Sequence, residues 1–175
     1  IAVCGSLDWL RLTKRPDNAV QMLPTRWLDD PLQWLWFGVT GENQEWFDKR
    51  VRVLAEVPAV IKWVSYEPAL GPLSIDPERS RWFQWLIIGG ESAQGEPARP
   101  FMIEWAESAI QQCRRYGITP FMKQTGAAAE YRGKPDKADR MQDFEFEKME
   151  LEKYLITKQK NNPPKIRPFY AGGVA

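Results

Sequence analysis

The chain contains no histidine, and only Cys4 and Cys113 among its 175 residues are cysteines. Histidine is the commonest metal ligand and the side chain that most readily exchanges protons near neutral pH. Any acid–base chemistry must therefore use Glu, Asp, Lys, Tyr or Cys. Two cysteines far apart in sequence supply too few thiolates for a zinc site or an iron–sulfur cluster. We expect no metal site in this chain by itself.

The sequence also has little net charge and no long apolar run. Its 24 lysines and arginines nearly balance 23 aspartates and glutamates, so the overall charge of +1 does not by itself indicate a polyanionic partner. No stretch approaches the roughly eighteen apolar residues of a membrane span, and the first residues lack the features of a secretory signal. The composition is typical of a cytoplasmic globular protein without a membrane partner, and it leaves the oligomeric state open.

Between Trp9 and Gly126, short apolar runs alternate with segments of helical period. This alternation favours an α/β fold in which helical crossovers join the strands of a parallel sheet, as in a partial (β/α) barrel. Each run is too short for a helix and nearly continuous in apolar character, as expected of parallel strands covered on both faces. The five predicted strands are 9–13, 35–40, 61–65, 85–89 and 119–123.

Two intervening segments have the period of an amphipathic helix. After Asn43, a suitable N-cap, apolar residues recur at positions 47, 51 and 54. In the second segment, positions 106, 109, 110 and 113 are apolar, and Gly117 stands where a C-terminal cap belongs. Cys113 then lies on the apolar face, which favours packing over a reactive thiol. The Pro- and Asp-rich segments 17–30 and 71–81 are predicted as loops or short helices.

The character of the sequence changes after Gly126. Residues 1–126 are predicted to form the partial barrel, and 157–175 a flexible tail. Residues 127–156 form a carboxyl-terminal extension whose structure the pattern does not fix. Within it, 144–156 fits a strand by alternation and a helix by charge pairing, and we favour the helix.

Every predicted strand ends beside a charged residue. In a parallel sheet with returning helices, the carboxyl ends of the strands lie on one rim, and ligands bind there in open sheets and in barrels. Charges are costly to bury close together unless they pair or meet a ligand. The two glycines of IIGGES (87–92) let the backbone approach a ligand closely. We therefore predict a ligand site on this rim, formed by Lys14, Arg15, Glu42, Asn43, Glu67, Gly90, Glu91, Ser92, Arg99, Lys123 and Gln124.

Each residue type indicates a role at the rim. Anionic groups of a ligand would be held by Lys14, Arg15 and Lys123. Amines or ribose hydroxyls would donate hydrogen bonds to Glu42, Glu67 and Glu91. Orientation would be fixed by Asn43, Ser92 and Gln124, and Arg99 would close over the ligand.

A plainer interpretation treats these residues as solvated surface charges, because strands of any α/β domain end at the surface. Recurrence at all five exits favours a shared site, although neither a phosphate-binding loop nor a dinucleotide fingerprint occurs. The nine tryptophans raise a second question, since aromatic rings interleaved with arginine can stack on bases. Four of them favour packing between sheet and helices by their position in or beside strands, namely Trp34, Trp36, Trp63 and Trp85. Trp27 and Trp46 leave both roles open.

Seven motifs occur in order between Trp9 and Gly126: LTKRP (12–16), GVTGENQ (38–44), SYEPALGP (65–72), IIGGES (87–92), ARP (98–100), QC (112–113) and PFMKQTG (120–126). This succession resembles a bacterial and phage family labelled as phage proteins of unknown function, which is itself similar to divergent radical S-adenosylmethionine enzymes. The resemblance implies a partial or complete (β/α) barrel with its site on the strand-exit rim.

Longer members of that family carry an upstream cysteine-rich segment, for which the resemblance implies a [4Fe–4S] cluster and S-adenosylmethionine. This chain has no counterpart of that segment. We therefore expect no cofactor in this chain, no radical chemistry by this chain alone, and a truncated carboxyl-terminal part of such a barrel.

Three hypotheses follow, and they leave open whether the chain is an enzyme. In the first, the rim binds a small polar or nucleotide-like ligand. In the second, the chain is a non-catalytic nucleic-acid-associated module whose Arg and Trp side chains bind single strands, with an affinity that falls as salt rises. In the third, it is an inactive truncated gene product, and an in-frame cysteine cluster upstream of Ile1 would restore the enzyme hypothesis.

Overall fold

The computed structural model describes residues 7–93 and 95–136. Its strands are β1 (Trp9–Thr13), β2 (Leu35–Thr40), β3 (Ile61–Tyr66), β4 (Trp85–Gly89), β5 (Phe101–Met102), β6 (Thr119–Gln124), β7 (Ala129–Tyr131) and β8 (Lys134–Pro135). Its α-helices are α1 (Ala19–Met22), α2 (Arg26–Asp29), α3 (Gln44–Glu56) and α4 (Ile103–Tyr116). Single 3-10 turns cover Pro16–Asn18 and Arg79–Arg81. The α/β prediction is confirmed, and two of the predicted strands continue one residue further, to Tyr66 and Gln124.

Five strands form a parallel sheet in the order β1-β2-β3-β4-β6, so each strand pairs with the next one of that sheet along the chain. Right-handed crossovers between sequential parallel strands place their connections on one face. This order is that of consecutive strands in a (β/α) barrel, and it lacks the reversal found in doubly wound sheets. In the described ranges, β1 and β6 are the outer strands of this sheet.

The start of α3 and the end of α4 lie at the residues that the sequence indicated. The side chain of Asn43 caps α3 by accepting a hydrogen bond from the Trp46 backbone N–H at 3.0 Å. Gly117 ends α4 in the left-handed conformation, with φ of 68°. Cys113 is buried on the apolar face of α4 within the core, so its predicted packing role is confirmed.

The core consists of two clusters on opposite faces of the sheet. On one face, strand residues such as Val64 and Leu86 pack with the apolar faces of α3 and α4. On the other, Trp36, Trp63 and Trp85 pack against one another, and the ring centroids of Trp63 and Trp85 lie 5.4 Å apart. Successive side chains of a strand point to opposite faces. The tryptophans therefore pack as expected, but in the described ranges no helix residue joins their cluster, so the predicted location between sheet and helices is not found there for these three.

Residues after Gly126 form strands within the described part of the chain. β7 pairs parallel with β5 and antiparallel with β8, which gives a small three-stranded sheet. The predictions for residues 137–156, including the helix at 144–156, and for the tail 157–175 lie outside the described residues. None of the helices in the described ranges combines the length and the apolar character that crossing a membrane requires.

Gly38 gives a test of the packing on the face that carries the tryptophan cluster. A Cβ atom at Gly38 would lie 2.3 Å from Cε2 of Trp63, whose ring is buried. Because Trp63 packs against Trp85, it has little room to move. We expect Gly38→Ala to lower the free energy of unfolding by about 1–3 kcal/mol in urea denaturation.

Gly71→Ala is the matched control, since a Cβ atom there would meet nothing within 4 Å. Its unfolding free energy should stay within about 0.5 kcal/mol of the wild type. Equal losses for the two variants would contradict the packing described for Trp63.

Candidate functional site

The carboxylate of Glu67, just after β3, connects three strands of the rim. Its side chain lies across Gly89 of β4, where a Cβ atom would stand only 2.9 Å from Cδ of Glu67. Because Gly89 has no side chain, the carboxylate reaches β6. There Oε2 accepts a hydrogen bond from Nζ of Lys123 at 3.0 Å, and Oε1 accepts one from Nε2 of Gln124 at 2.7 Å.

Gly90 serves a different purpose from Gly89. A Cβ atom at Gly90 would lie 2.1 Å from the carbonyl oxygen of Thr125, so only glycine allows the two backbones to come this close. The backbone N–H of Gly90 donates to the carbonyl of Gln124 at 3.0 Å. The Gln124 side chain completes the junction, because Nε2 donates to the carbonyl of Gly90 at 3.1 Å and Oε1 accepts from the hydroxyl of Ser92 at 3.2 Å.

These groups border an open cavity of about 400 Å³. Its volume falls within the range of about 300–1,000 Å³ typical of small-molecule sites. The lining contains three carboxylates and one ammonium group, and consists of Glu67, Pro68, Gly90, Glu91, Ser92, Glu96, Pro97, Lys123 and Gln124. We call this space the rim cavity.

Glu91 is held by Arg99 across the loop that follows β4. The Arg99 guanidinium donates from Nε to Oε2 at 2.8 Å and from Nη2 to Oε1 at 2.6 Å, and its backbone N–H donates to Oε2 at 2.9 Å. These hydrogen bonds from Arg99 lower the pKa of Glu91 to about 2. Glu91 is therefore ionised throughout the neutral range, with much of its charge compensated by Arg99.

Glu42 organises a second cluster at the exits of β1 and β2. It accepts hydrogen bonds from Nζ of Lys14 at 2.8 Å and from Nη1 of Arg50 at 2.6 Å. Arg50 Nη1 also donates to the hydroxyl of Thr40 at 2.7 Å. Burial raises the pKa of Glu42, but the hydrogen bond from Lys14 and the charge of Arg50 outweigh burial, and the pKa is lowered.

The loop after β3 joins the two clusters through its backbone. The N–H of Ala69 donates to the carbonyl of Gly89, and the N–H of Leu70 donates to the carbonyl of Glu42, each at 2.8 Å. Hydrogen bonds from Arg99 to Glu91 raise the pKa of Arg99, and the charge of Glu42 adds to that effect. The rim is therefore one connected set of charges.

The structure distributes the predicted site residues over distinct places. Those at the rim cavity are Glu67, Gly90, Glu91, Ser92, Lys123 and Gln124, with Arg99 bound to Glu91. Lys14 and Glu42 belong to the second cluster. Asn43 uses its side-chain oxygen to cap α3. Arg15 is exposed, and its backbone N–H donates to the hydroxyl of Thr13 at 3.0 Å.

Sequence reasoning missed Arg50, Glu96 and Pro97. Arg50 had a detectable signal, because it stands three residues after Phe47 and four before Leu54 on the apolar face of α3. A charged residue on such a face indicates a buried ion pair. Glu96 and Pro97 belong to a loop without periodicity, and no pattern placed them at the cavity.

A strongly shifted lysine lies away from the rim. Burial lowers the pKa of Lys62 to about 8. Its ammonium group donates to the carbonyl of Ala55 at 2.6 Å, near the end of α3. Lys62 therefore binds the carboxyl-terminal end of a helix and does not belong to the rim cavity.

The thiolates required by an iron–sulfur cluster are not present in this chain. Such a cluster needs three or four cysteines, whereas the 175 residues contain two. The sequence therefore does not fit that group. Within residues 7–93 and 95–136, no set of three or more His, Cys, Asp or Glu side chains is placed to hold a metal ion.

A parallel sheet with its strands in chain order, whose exits border a polar cavity, defines an α/β protein with a candidate small-molecule site on its rim. The chain belongs to the DUF5131 family of proteins of unknown function, whose family model matches residues 1–157. Comparisons with curated proteins and with solved structures gave no match.

Gly89→Ala tests whether the missing side chain positions Glu67. The new methyl group would push the Glu67 carboxylate off Lys123 and Gln124, at a cost of about 1 kcal/mol in urea unfolding. In a Glu67→Ala background the same change meets no carboxylate. The double-mutant cycle should therefore show a coupling above about 0.5 kcal/mol, and additive effects would contradict the contact.

The Glu91–Arg99 pair predicts a pH dependence of stability. The folded-state pKa of Glu91, about 2, lies below its ordinary value of 4.5. A carboxyl group with a depressed folded pKa stabilises the protein above the unfolded pKa, and that contribution disappears as pH falls towards the folded pKa. The stability difference between wild type and Glu91→Gln should thus be constant above about pH 5.5 and shrink between about 4.5 and 2.

Urea unfolding at a series of pH values measures this difference. In an Arg99→Met background the hydrogen bonds are gone, so the dependence on Glu91 should be much weaker. A difference between wild type and Glu91→Gln that stays constant from about pH 6 to about pH 3 would count against the pair.

Proposed function

We propose that the rim cavity binds a small polar ligand that carries both a cationic and an anionic group. The observation that carries this proposal is the Glu67 carboxylate, which lies at the cavity between β4 and β6 and is paired there with Lys123. A ligand ammonium group can donate hydrogen bonds to this carboxylate, and a ligand carboxylate can accept hydrogen bonds from Lys123. The exposed position of Lys123 leaves its ammonium group within reach of solvent and ligand.

The charge balance of the cavity supports a ligand with an excess of positive charge. Its lining has three carboxylates and one lysine, and Arg99 compensates one of those carboxylates, Glu91. Glu67 and Glu96 then stand against Lys123. Ser92 and Gln124 offer a hydroxyl and an amide for hydroxyl groups of a ligand.

S-adenosylmethionine is the probe of choice for this chemistry. It combines an ammonium group, a sulfonium group and a carboxylate with ribose hydroxyls, so its net charge complements the cavity. The motif resemblance to a family similar to radical S-adenosylmethionine enzymes supports the same probe. The proposal is limited to binding, because the thiolates of an iron–sulfur cluster are lacking in these 175 residues.

Isothermal titration calorimetry with S-adenosylmethionine, S-adenosylhomocysteine, methionine and adenosine tests the proposal. We expect S-adenosylmethionine to bind best, since it alone adds a second cationic group. Glu67→Gln keeps the shape of the side chain and removes its charge, so it should weaken binding by roughly fivefold or more. Lys123→Ala should lower the affinity for ligands that carry a carboxylate and leave the affinity for adenosine unchanged.

Glu56→Gln is the matched control, because Glu56 is an exposed carboxylate at the last residue of α3. It should leave every affinity unchanged. The proposal fails if none of the probes binds, or if Glu67→Gln and Glu56→Gln affect binding equally. Circular dichroism melting of each variant verifies that the fold is retained.

A further inference from the structure

A second groove lies between the exit of β1, the first turns of α3 and the 3-10 turn Arg79–Arg81. Its volume is about 450 Å³. Five cations and two carboxylates line it around a single aromatic ring, and the lining consists of Lys14, Asp17, Trp46, Asp48, Lys49, Arg50, Arg52 and Arg79. Among the side chains that line it, cations outnumber carboxylates, which is the reverse of the rim cavity.

Trp46 is the large apolar side chain that α3 leaves at the surface of this groove. It is 42% exposed, although a tryptophan on a helix normally gains stability by packing against the core. Two cations stand beside its ring, with Cζ of Arg50 at 4.3 Å and Nζ of Lys49 at 5.0 Å from the ring centroid. An exposed ring among cations is the arrangement that binds a base by stacking and its phosphate by charge.

Arg50 supplies a fixed positive charge at the back of the groove. Its side chain is only 9% exposed. In the described part of the chain, every hydrogen bond of this guanidinium uses Nη1, which contacts Thr40 and Glu42, and its Nε has no hydrogen-bond partner. Thr40 and Glu42 already hold the Arg50 side chain in place. Ligand binding therefore costs no further conformational entropy at Arg50.

The other cations differ in how far they are already neutralised. Lys49 pairs with Glu45 at 2.7 Å, an exposed contact between helix neighbours of the kind that contributes little. Arg79 pairs with Asp48 and Asp76. Arg52 is exposed, and among the described residues it forms no ion pair. A surface charge on a helix is ordinarily solvated, so the exposed ring beside these cations is what distinguishes the groove.

We infer that this groove binds a nucleotide unit, with its base stacked on Trp46 and its phosphate held by Arg52 and Lys49. Such a unit has two sources, a free mononucleotide or a single strand of nucleic acid, and both present the same base and phosphate. The inference does not rest on the proposed ligand of the rim cavity. The groove has its own lining, in which cations predominate and Arg52 has no carboxylate partner among the described residues.

Fluorescence anisotropy tests the inference with the full chain and a labelled oligothymidylate of about twelve nucleotides, while ATP is tested as an unlabelled competitor and by calorimetry. We expect the affinity for the oligonucleotide to fall as salt rises. Trp46→Ala should weaken it by roughly fivefold or more, because the stacking contact is lost. Arg52→Glu should weaken it by about threefold or more at low salt.

Arg115→Glu is the matched control, since it makes the same charge reversal at an exposed position near the end of α4. Selective weakening by Trp46→Ala and Arg52→Glu supports the groove. Tight binding of the oligonucleotide with weak ATP binding identifies a single strand as the source, and the reverse identifies a free nucleotide. The inference is overturned if neither probe binds, if Trp46→Ala changes nothing, or if Arg115→Glu weakens binding as much as Arg52→Glu.

Discussion

The parallel alignment of five strands in chain order is the constraint on which the rest of this structure depends. It brings the exits of all of these strands to one rim, although they are separated by long stretches of sequence. At that rim, Gly89 determines whether the charged side chains of different strands can contact one another. Gly89 leaves room for the Glu67 carboxylate to cross β4 and reach Lys123 and Gln124 on β6. A side chain at that position would block this path, and the Glu67 carboxylate would no longer contact Lys123 and Gln124.

Ion pairing lowers the free-energy cost of placing these charges close together. The Glu42–Arg50 pair is almost fully shielded from water, and additional hydrogen bonds from Arg50 to Thr40 offset part of its desolvation. The Glu67–Lys123 pair differs, because Lys123 remains half exposed. An exposed pair contributes little to stability and exchanges partners easily. The buried pair therefore positions the rim, whereas the exposed pair is available to a ligand.

Much of the fold follows from local sequence signals. Short apolar runs between helical segments gave the five strands of the sheet, and Asn43 and Gly117 marked ends of the two long helices. The rim followed from topology, because parallel strands must end together. The small sheet of β5, β7 and β8 could not be predicted, since strands of two or three residues show no periodicity.

The remaining differences have physical causes as well. A nearly continuous apolar strand does not reveal which face carries the helices, so the side on which Trp36, Trp63 and Trp85 pack was not determined by their sequence. Asn43 illustrates the opposite problem. A residue at a strand exit can be a ligand or a helix cap, and here its oxygen is already used by the N–H of Trp46. Glu96 and Pro97 reach the cavity through loop geometry alone.

The central claim is that the rim cavity, formed by the exits of β3, β4 and β6, is a small-molecule site. Amide NMR spectra recorded with increasing S-adenosylmethionine test it most directly, because they locate the contact on the chain. The account predicts that the shifts concentrate at Gly90, Glu91, Ser92 and Gln124, while amides near the end of α4 stay unchanged. Saturable shifts located elsewhere, or no shifts with this probe or with methionine and adenosine, would contradict it.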